Sequence, residues 1–182
     1  MRKFGVLAST IFNSAILAGL YGIIHDQVTY SISAEYFARF KFEQFALEPA
    51  WFGGHRQTVA VIGFLASWWT GIIIGIVLGL TALIYKDHQT MRKAIRKSIL
   101  LTFCVAVFTS FIGYFYGRAH SAKSDLSSWI PNDVVDKQSF YVVGSIHNFS
   151  YLGGLLGLIG GIIWLVRKNN SHHTTQIVLP RT

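Results

Sequence analysis

The chain has 182 residues, 52% of them apolar and only 13% charged, with a formal net charge of +8. So apolar and charge-poor a composition excludes an ordinary soluble domain. Four nearly uncharged runs, residues 4–24, 57–85, 98–117 and 141–166, fill most of the length, and each has the roughly 20 residues a helix needs to cross hydrocarbon.

The predicted fold is all-α and integral to the membrane. It is a bundle of four transmembrane helices at about 4–25, 56–85, 97–118 and 141–166, in one domain of residues 1–168 with a tail at 169–182. The first run follows Arg2 and Lys3, as a signal peptide would. Its uncharged stretch is long, however, and no small-x-small cleavage site precedes His25, so it reads as a retained helix. The connection at 26–54 is long for a helix hairpin. Val28-Thr29-Tyr30-Ser31-Ile32 alternates like a short strand, and Ser33 with Glu35 reads as a helix start. Phe37, Phe40, Phe42 and Phe45 then interleave with Arg39, Lys41, Glu43 and Gln44, the pattern of a short interfacial helix capping the bundle. Trp51-Phe52 adds an interfacial anchor, and Gly53-Gly54 frees the backbone before His55.

The second helix carries Gly71, Gly75 and Gly79, with Gly63 two turns earlier. The fourth carries Gly153, Gly157 and Gly161, with Gly154 and Gly160. Glycine at every fourth position lets another backbone approach closely. The two helices run in the same direction, so the stripes could cross directly within one subunit; homodimerisation is the alternative. Trp68-Trp69 and Cys104 read as packing residues, and Cys104 has no second cysteine for a disulfide or CxxC site. The second connection, 118–140, is polar and turns at Pro131-Asn132-Asp133. The tail holds His172-His173 and reads as disordered at its end.

Charge sets the expected orientation. Arg2, Lys3, Lys86, Arg92, Lys93, Arg96, Lys97, Arg167, Lys168 and Arg181 fall on one face, ten of sixteen basic residues, with Asp87 as the only acid. The positive-inside rule makes that face cytoplasmic and puts both termini there. The positive charge therefore reports topology, with anionic lipid as its partner and nucleic acid excluded. Helix interiors carry no Asp, Glu, Lys or Arg, and no inverted repeat is visible, which argues against ion-coupled transport.

Four histidines mark the other face. His25 closes the first run, His55 precedes the second, His120 follows the third and His147 opens the fourth. Counted from Lys3, Lys97 and Arg167, three of them (His25, His120 and His147) share a depth of about 30–35 Å; His55, counted from Lys86, would lie higher. Asp26 stands beside His25, and Glu35 lies in the capping segment. Imidazoles with carboxylates suit a divalent zinc, iron, manganese or copper ion, and the missing thiolates argue against copper(I) or an iron–sulfur cluster. The candidate metal ligands are thus His25, His55, His120, His147, Asp26 and Glu35. No His-x-x-x-His, Glu-x-x-His or CxxCH spacing supports them, and no nucleotide is expected. The competing reading makes each histidine an interfacial residue bonded to backbone or headgroups.

The stretch from His25 through Asp26-Gln27-Val28-Thr29-Tyr30-Ser31-Ile32-Ser33 to Phe45 resembles a segment of uncharacterised bacterial four-helix integral-membrane proteins. The resemblance implies a bacterial inner-membrane protein and carries no known activity. Two functions stay open. One is a periplasmic His/carboxylate metal site serving catalysis or redox chemistry. The other is an accessory subunit that packs through its glycine stripes and aromatic loop, in a homo-oligomer or a larger membrane complex. The charge asymmetry makes one direct prediction. In a Cys104→Ala background, Ser124→Cys should react with impermeant maleimide from the periplasmic side; labelling from the cytoplasmic side alone reverses the topology.

Overall fold

The computed structural model describes residues 2–122 and 130–178, without the side chains of 171–178. Ser124, the side chains of His172 and His173, and the end of the expected tail lie outside the described residues. Within them the chain is helical, with no strand. Four helices are long and apolar enough to cross a membrane.

Helix α1 spans Arg2–Ile32 and buries Val6, Thr10, Ser14, Gly19, Gly22, Asp26 and Thr29. Steps of three to five residues put these on one helical face. The strand expected at 28–32 is instead the last part of α1. Thr29 Oγ1 donates to the His25 carbonyl at 3.1 Å and Ser31 Oγ to the Gln27 carbonyl at 3.1 Å. A five-residue alternation cannot outweigh a buried helical face already running through Gly22, Asp26 and Thr29.

The expected capping helix is present as three joined pieces. Ser33 is extended and accepts from the Tyr36 N–H, which starts α2, Ala34–Tyr36. A π-helical turn, Phe37–Lys41, leads into α3, Phe42–Phe45. Ala46 stops it in the left-handed region at φ 51°. A 3-10 turn at Pro49–Phe52 follows, and Gly53 and Gly54 take positive φ to redirect the chain. Helix α4 is His55–Thr81, α5 is His88–Ser121 and α6 is Lys137–Val178. Apart from α4, which ends at Thr81 before a 3-10 turn at Ala82–Ile84, the long helices extend past the expected limits at both ends, by as little as two residues at the start of α1 and as much as twelve at the end of α6. Hydrophobicity marks where a helix can be buried; caps mark where it starts and stops. Asp87 accepts from the Gln89 and Thr90 N–H groups at 2.7 and 2.9 Å, bonds that hold its carboxyl at about 2. Asp136 accepts from the Ser139 N–H at 2.9 Å, which lowers its pKa in the same way.

The bundle is two antiparallel hairpins, α1 with α4 and α5 with α6. The glycine stripes do not meet each other, as the shared direction of α4 and α6 suggested. Gly71, Gly75 and Gly79 lie against Ser14, Ile11 and Leu7 of α1, and Gly63 against Gly22. Gly153 and Gly157 lie against Ala106 and Thr102 of α5, and Gly161 meets Leu78 of α4 as well as Ser98 of α5. Each stripe serves the long helix next to it in sequence across the capped end of the bundle, although the shortest connection, 82–87, joins α4 to α5. Aliphatic and aromatic side chains such as Phe12, Leu20, Phe108, Phe111 and Phe115 cover the outside. Cys104, Trp68 and Trp69 join this exposed belt instead of packing inside.

The stripes yield a stability prediction. A Cβ at Gly157 would lie 2.7 Å from the Thr102 Cα, whereas one at Gly154 meets nothing within 4 Å. Gly157→Ala should destabilise the bundle by roughly 1–3 kcal/mol through overpacking. Gly154→Ala should not lower the thermal midpoint in detergent. Equal midpoints for the two variants would count against the tight α5–α6 approach.

Candidate metal centre

The last turns of α1 and the first turns of α6 meet under the capping segment. There Asp26, buried to 3% exposure, lies between two histidines. His25 Nδ1 is 3.2 Å from Asp26 Oδ1, and His147 Nε2 is 3.9 Å from the same oxygen. The two imidazole rings are edge to face with centroids 4.7 Å apart. Thr29 Oγ1, which donates to the His25 carbonyl, sits 3.4 Å from His147 Nε2 and can accept its proton. Buried His25 Nε2 and Asp26 Oδ2 have no hydrogen-bond partner. One is an imidazole nitrogen and the other a carboxylate oxygen, the two donor types that hold divalent ions.

One donor atom from each of His25, Asp26 and His147 lies within 4.8 Å of the others. Donors ~2.0–2.1 Å from a zinc ion sit ~3.3–3.5 Å apart in a tetrahedron. A shift of about an ångström in the side chains would therefore bring them to coordination distance. Two histidines and one carboxylate leave further coordination positions open.

The cap closes the cluster from above. Tyr36 stacks on His147 with centroids 5.1 Å apart and planes 14° off parallel, and Phe37 meets the same ring edge-on at 6.3 Å. Burial pushes the Tyr36 phenol well above its ordinary pKa, with Tyr151 and Asp26 adding in the same direction, so it stays a protonated hydroxyl. Lys41 is also buried, its Nζ 5.6 Å and 5.7 Å from the Phe40 and Phe45 ring centroids. Burial lowers the pKa of its ammonium, and the Asp26 carboxylate works against that shift. Lys41 and Asp26 thus feel each other's charge, although no direct ion pair joins them.

The other candidate ligands stand elsewhere. His55 begins α4 and packs against Phe42, centroids 5.4 Å apart. His120 stacks between Tyr116 and Tyr141 at 5.3 and 5.6 Å, on the exposed side of α5. Glu35 accepts the Val135 and Asp136 N–H groups at 2.9 and 2.8 Å, clamping the cap to the connection before α6. Thr29, Tyr36 and Lys41 escaped the sequence reading. Thr29 is one helical turn beyond His25 and needed α1 to continue. Lys41, flanked directly by Phe40 and Phe42, was the visible signal for a buried cation in the cap.

Comparison with protein-family models, with curated proteins and with solved structures finds no match to this chain.

Glu35 provides the test of the cap. Glu35→Ala leaves two backbone N–H groups without their acceptor and should cost about 1–2 kcal/mol. It should also speed proteolysis within residues 33–54, while Glu35→Gln, which keeps one acceptor oxygen, should fall between. Proteolysis at the wild-type rate in Glu35→Ala would mean the clamp does not hold the cap.

Proposed function

We propose that this chain is a bacterial inner-membrane metalloprotein with both termini in the cytoplasm. In this reading His25, Asp26 and His147 bind one divalent transition metal at the periplasmic end of the bundle. The observation that carries the reading is the buried Asp26 carboxylate, with one oxygen unpartnered, beside an unpartnered imidazole nitrogen. A buried anion is costly unless a cation or hydrogen bonds compensate it, and a divalent ion would satisfy both orphaned donors. Three protein ligands leave room for water or substrate, the arrangement of a reactive site more than of a structural one. Asp26 Oδ1, bonded to His25 Nδ1, would also orient that ring with its Nε2 free to ligate. The bacterial assignment rests on the likeness of residues 25–45 to bacterial membrane proteins, and the orientation on the basic residues at the opposite end.

Lys41 favours a second reading. Its buried ammonium, coupled through space to the Asp26 carboxylate, would make the cluster a charge-neutral plug in an accessory subunit, with no metal.

One set of measurements separates the two. Elemental analysis of the purified protein should find about one metal per chain, lost in His25→Ala and in His147→Ala and kept in His55→Ala and His120→Ala. Protons compete for the ligating nitrogens, so acid should release the metal. Lys41→Met removes a competing cation and should tighten metal binding on the order of tenfold, about 1.4 kcal/mol. In the plug reading the wild type is metal-free and Lys41→Met only destabilises it, by stranding Asp26.

A further inference from the structure

Beneath the His25–Asp26–His147 cluster lies a cavity of about 250 Å³ between the two hairpins. All four long helices line it, including Ser14 and Tyr21 of α1, Thr70 of α4, Phe103 of α5, and Ser150 and Gly154 of α6. An engineered apolar cavity of about 150 Å³ takes up benzene, so this one has room for a larger ring or a chain. Its wall is mainly apolar, and Asp26 is the only carboxylate or ammonium-bearing residue in it.

Two hydroxyls in that wall are unusual. Ser14 Oγ and Thr70 Oγ1 are buried and have no hydrogen-bond partner. Thr81, Thr102, Thr109 and Ser110 each donate to the carbonyl four residues back. That local solution was open to Ser14 and Thr70 as well, yet neither adopts it. An unsatisfied buried hydroxyl costs about 1–3 kcal/mol. Higher in the cavity the Tyr21 hydroxyl is satisfied by Ser150 Oγ at 2.7 Å and Ser110 Oγ at 3.2 Å. Ser14 is eleven residues from His25 along α1, or about 16 Å at 1.5 Å per residue. The cavity thus has a hydroxyl tier at one end and the His/Asp tier at the other.

We propose that the cavity holds an uncharged, lipid-soluble molecule bearing a hydroxyl or carbonyl. Its oxygen bonds Ser14 and Thr70, and its apolar remainder extends to the candidate metal. The assignment names the substrate class for the metal reading and in that sense rests on it. A cationic or anionic ligand would find no counter-charge at the hydroxyl tier, and a pure hydrocarbon would leave both hydroxyls unsatisfied.

The test is photolabelling of the purified protein with a diazirine analogue of dodecanol, mapped by mass spectrometry. Labelling should be saturable, fall on cavity-wall peptides, and be competed at least tenfold better by dodecanol than by dodecane. Gly154→Leu, at a position where a Cβ meets nothing within 4 Å, should reduce it at least tenfold by filling the cavity, with thermal midpoint and metal content read on the same sample to show that the fold is kept. The double variant Ser14→Ala with Thr70→Val should lose the preference for alcohol over alkane. Labelling spread over the outer belt, equal competition by dodecane, or indifference to Gly154→Leu would each overturn the proposal. Metal content measured on the same samples keeps the two readings apart. Saturable, alcohol-selective labelling of a metal-free wild type leaves the cavity assignment standing and removes the metal; unselective labelling of a metal-loaded wild type does the reverse.

Discussion

Taking a carboxylate out of water costs several kcal/mol unless opposite charge or hydrogen bonds replace the lost solvent. Asp26 bears that cost at the capped end of the bundle, and the surrounding architecture is arranged around it. His25 precedes it on the same helix, His147 reaches it from α6, and the buried Lys41 of the cap acts on it through space. Thr29, Tyr36 and Phe37 then hold the His147 ring in place from two sides. Removing Asp26 would leave a buried ammonium and two imidazoles with no anion between them. The cluster is therefore a unit, and its members cannot be valued one at a time.

The hairpin pairing explains why such a unit has space beneath it. Glycine brings α1 against α4 and α5 against α6 at backbone distance, which uses up the closest packing within each pair. The faces turned toward the other pair meet less closely in the middle of the bundle, and the cavity is what remains between them. Close approach in one direction and room in the other have the same origin. The polar cap then seals one end of that room, with Glu35 and the Arg39–Asp133 ion pair at 3.1 Å tying it to the connection before α6.

Much of this was legible in the residues. Four long apolar runs gave four long helices, and Ser33 and the phenylalanines after it marked the capping segment. His25, Asp26 and His147 were visible as candidates because imidazoles and a carboxylate at helix ends are scarce in so apolar a chain. Which of the six candidates converge was not legible, because depth along a helix says nothing about azimuth around it. His120 shares the depth of His25 and His147 but sits on the exposed side of α5. His55 and Glu35 belong to the cap and its hinge, whose path depends on Ala46, Gly53 and Gly54 taking positive φ. The stripes were legible as close-packing faces, while their partners were not, since a small-residue face carries no mark of the helix it will meet.

The cluster draws its residues from the first and last long helices, and this has a consequence for biogenesis. Each glycine-lined pair is made of consecutive segments, so α1 and α4 can close on each other while α5 is still being synthesised. His25 and Asp26 then wait, half-formed, until α6 emerges and delivers His147. The centre is complete only once α6 has been made, and a chain stopped before residue 147 can pair its first two long helices but never assemble the site. A ligand bound there would staple α1 to α6, adding to the apolar clusters that already join the two hairpins near each end.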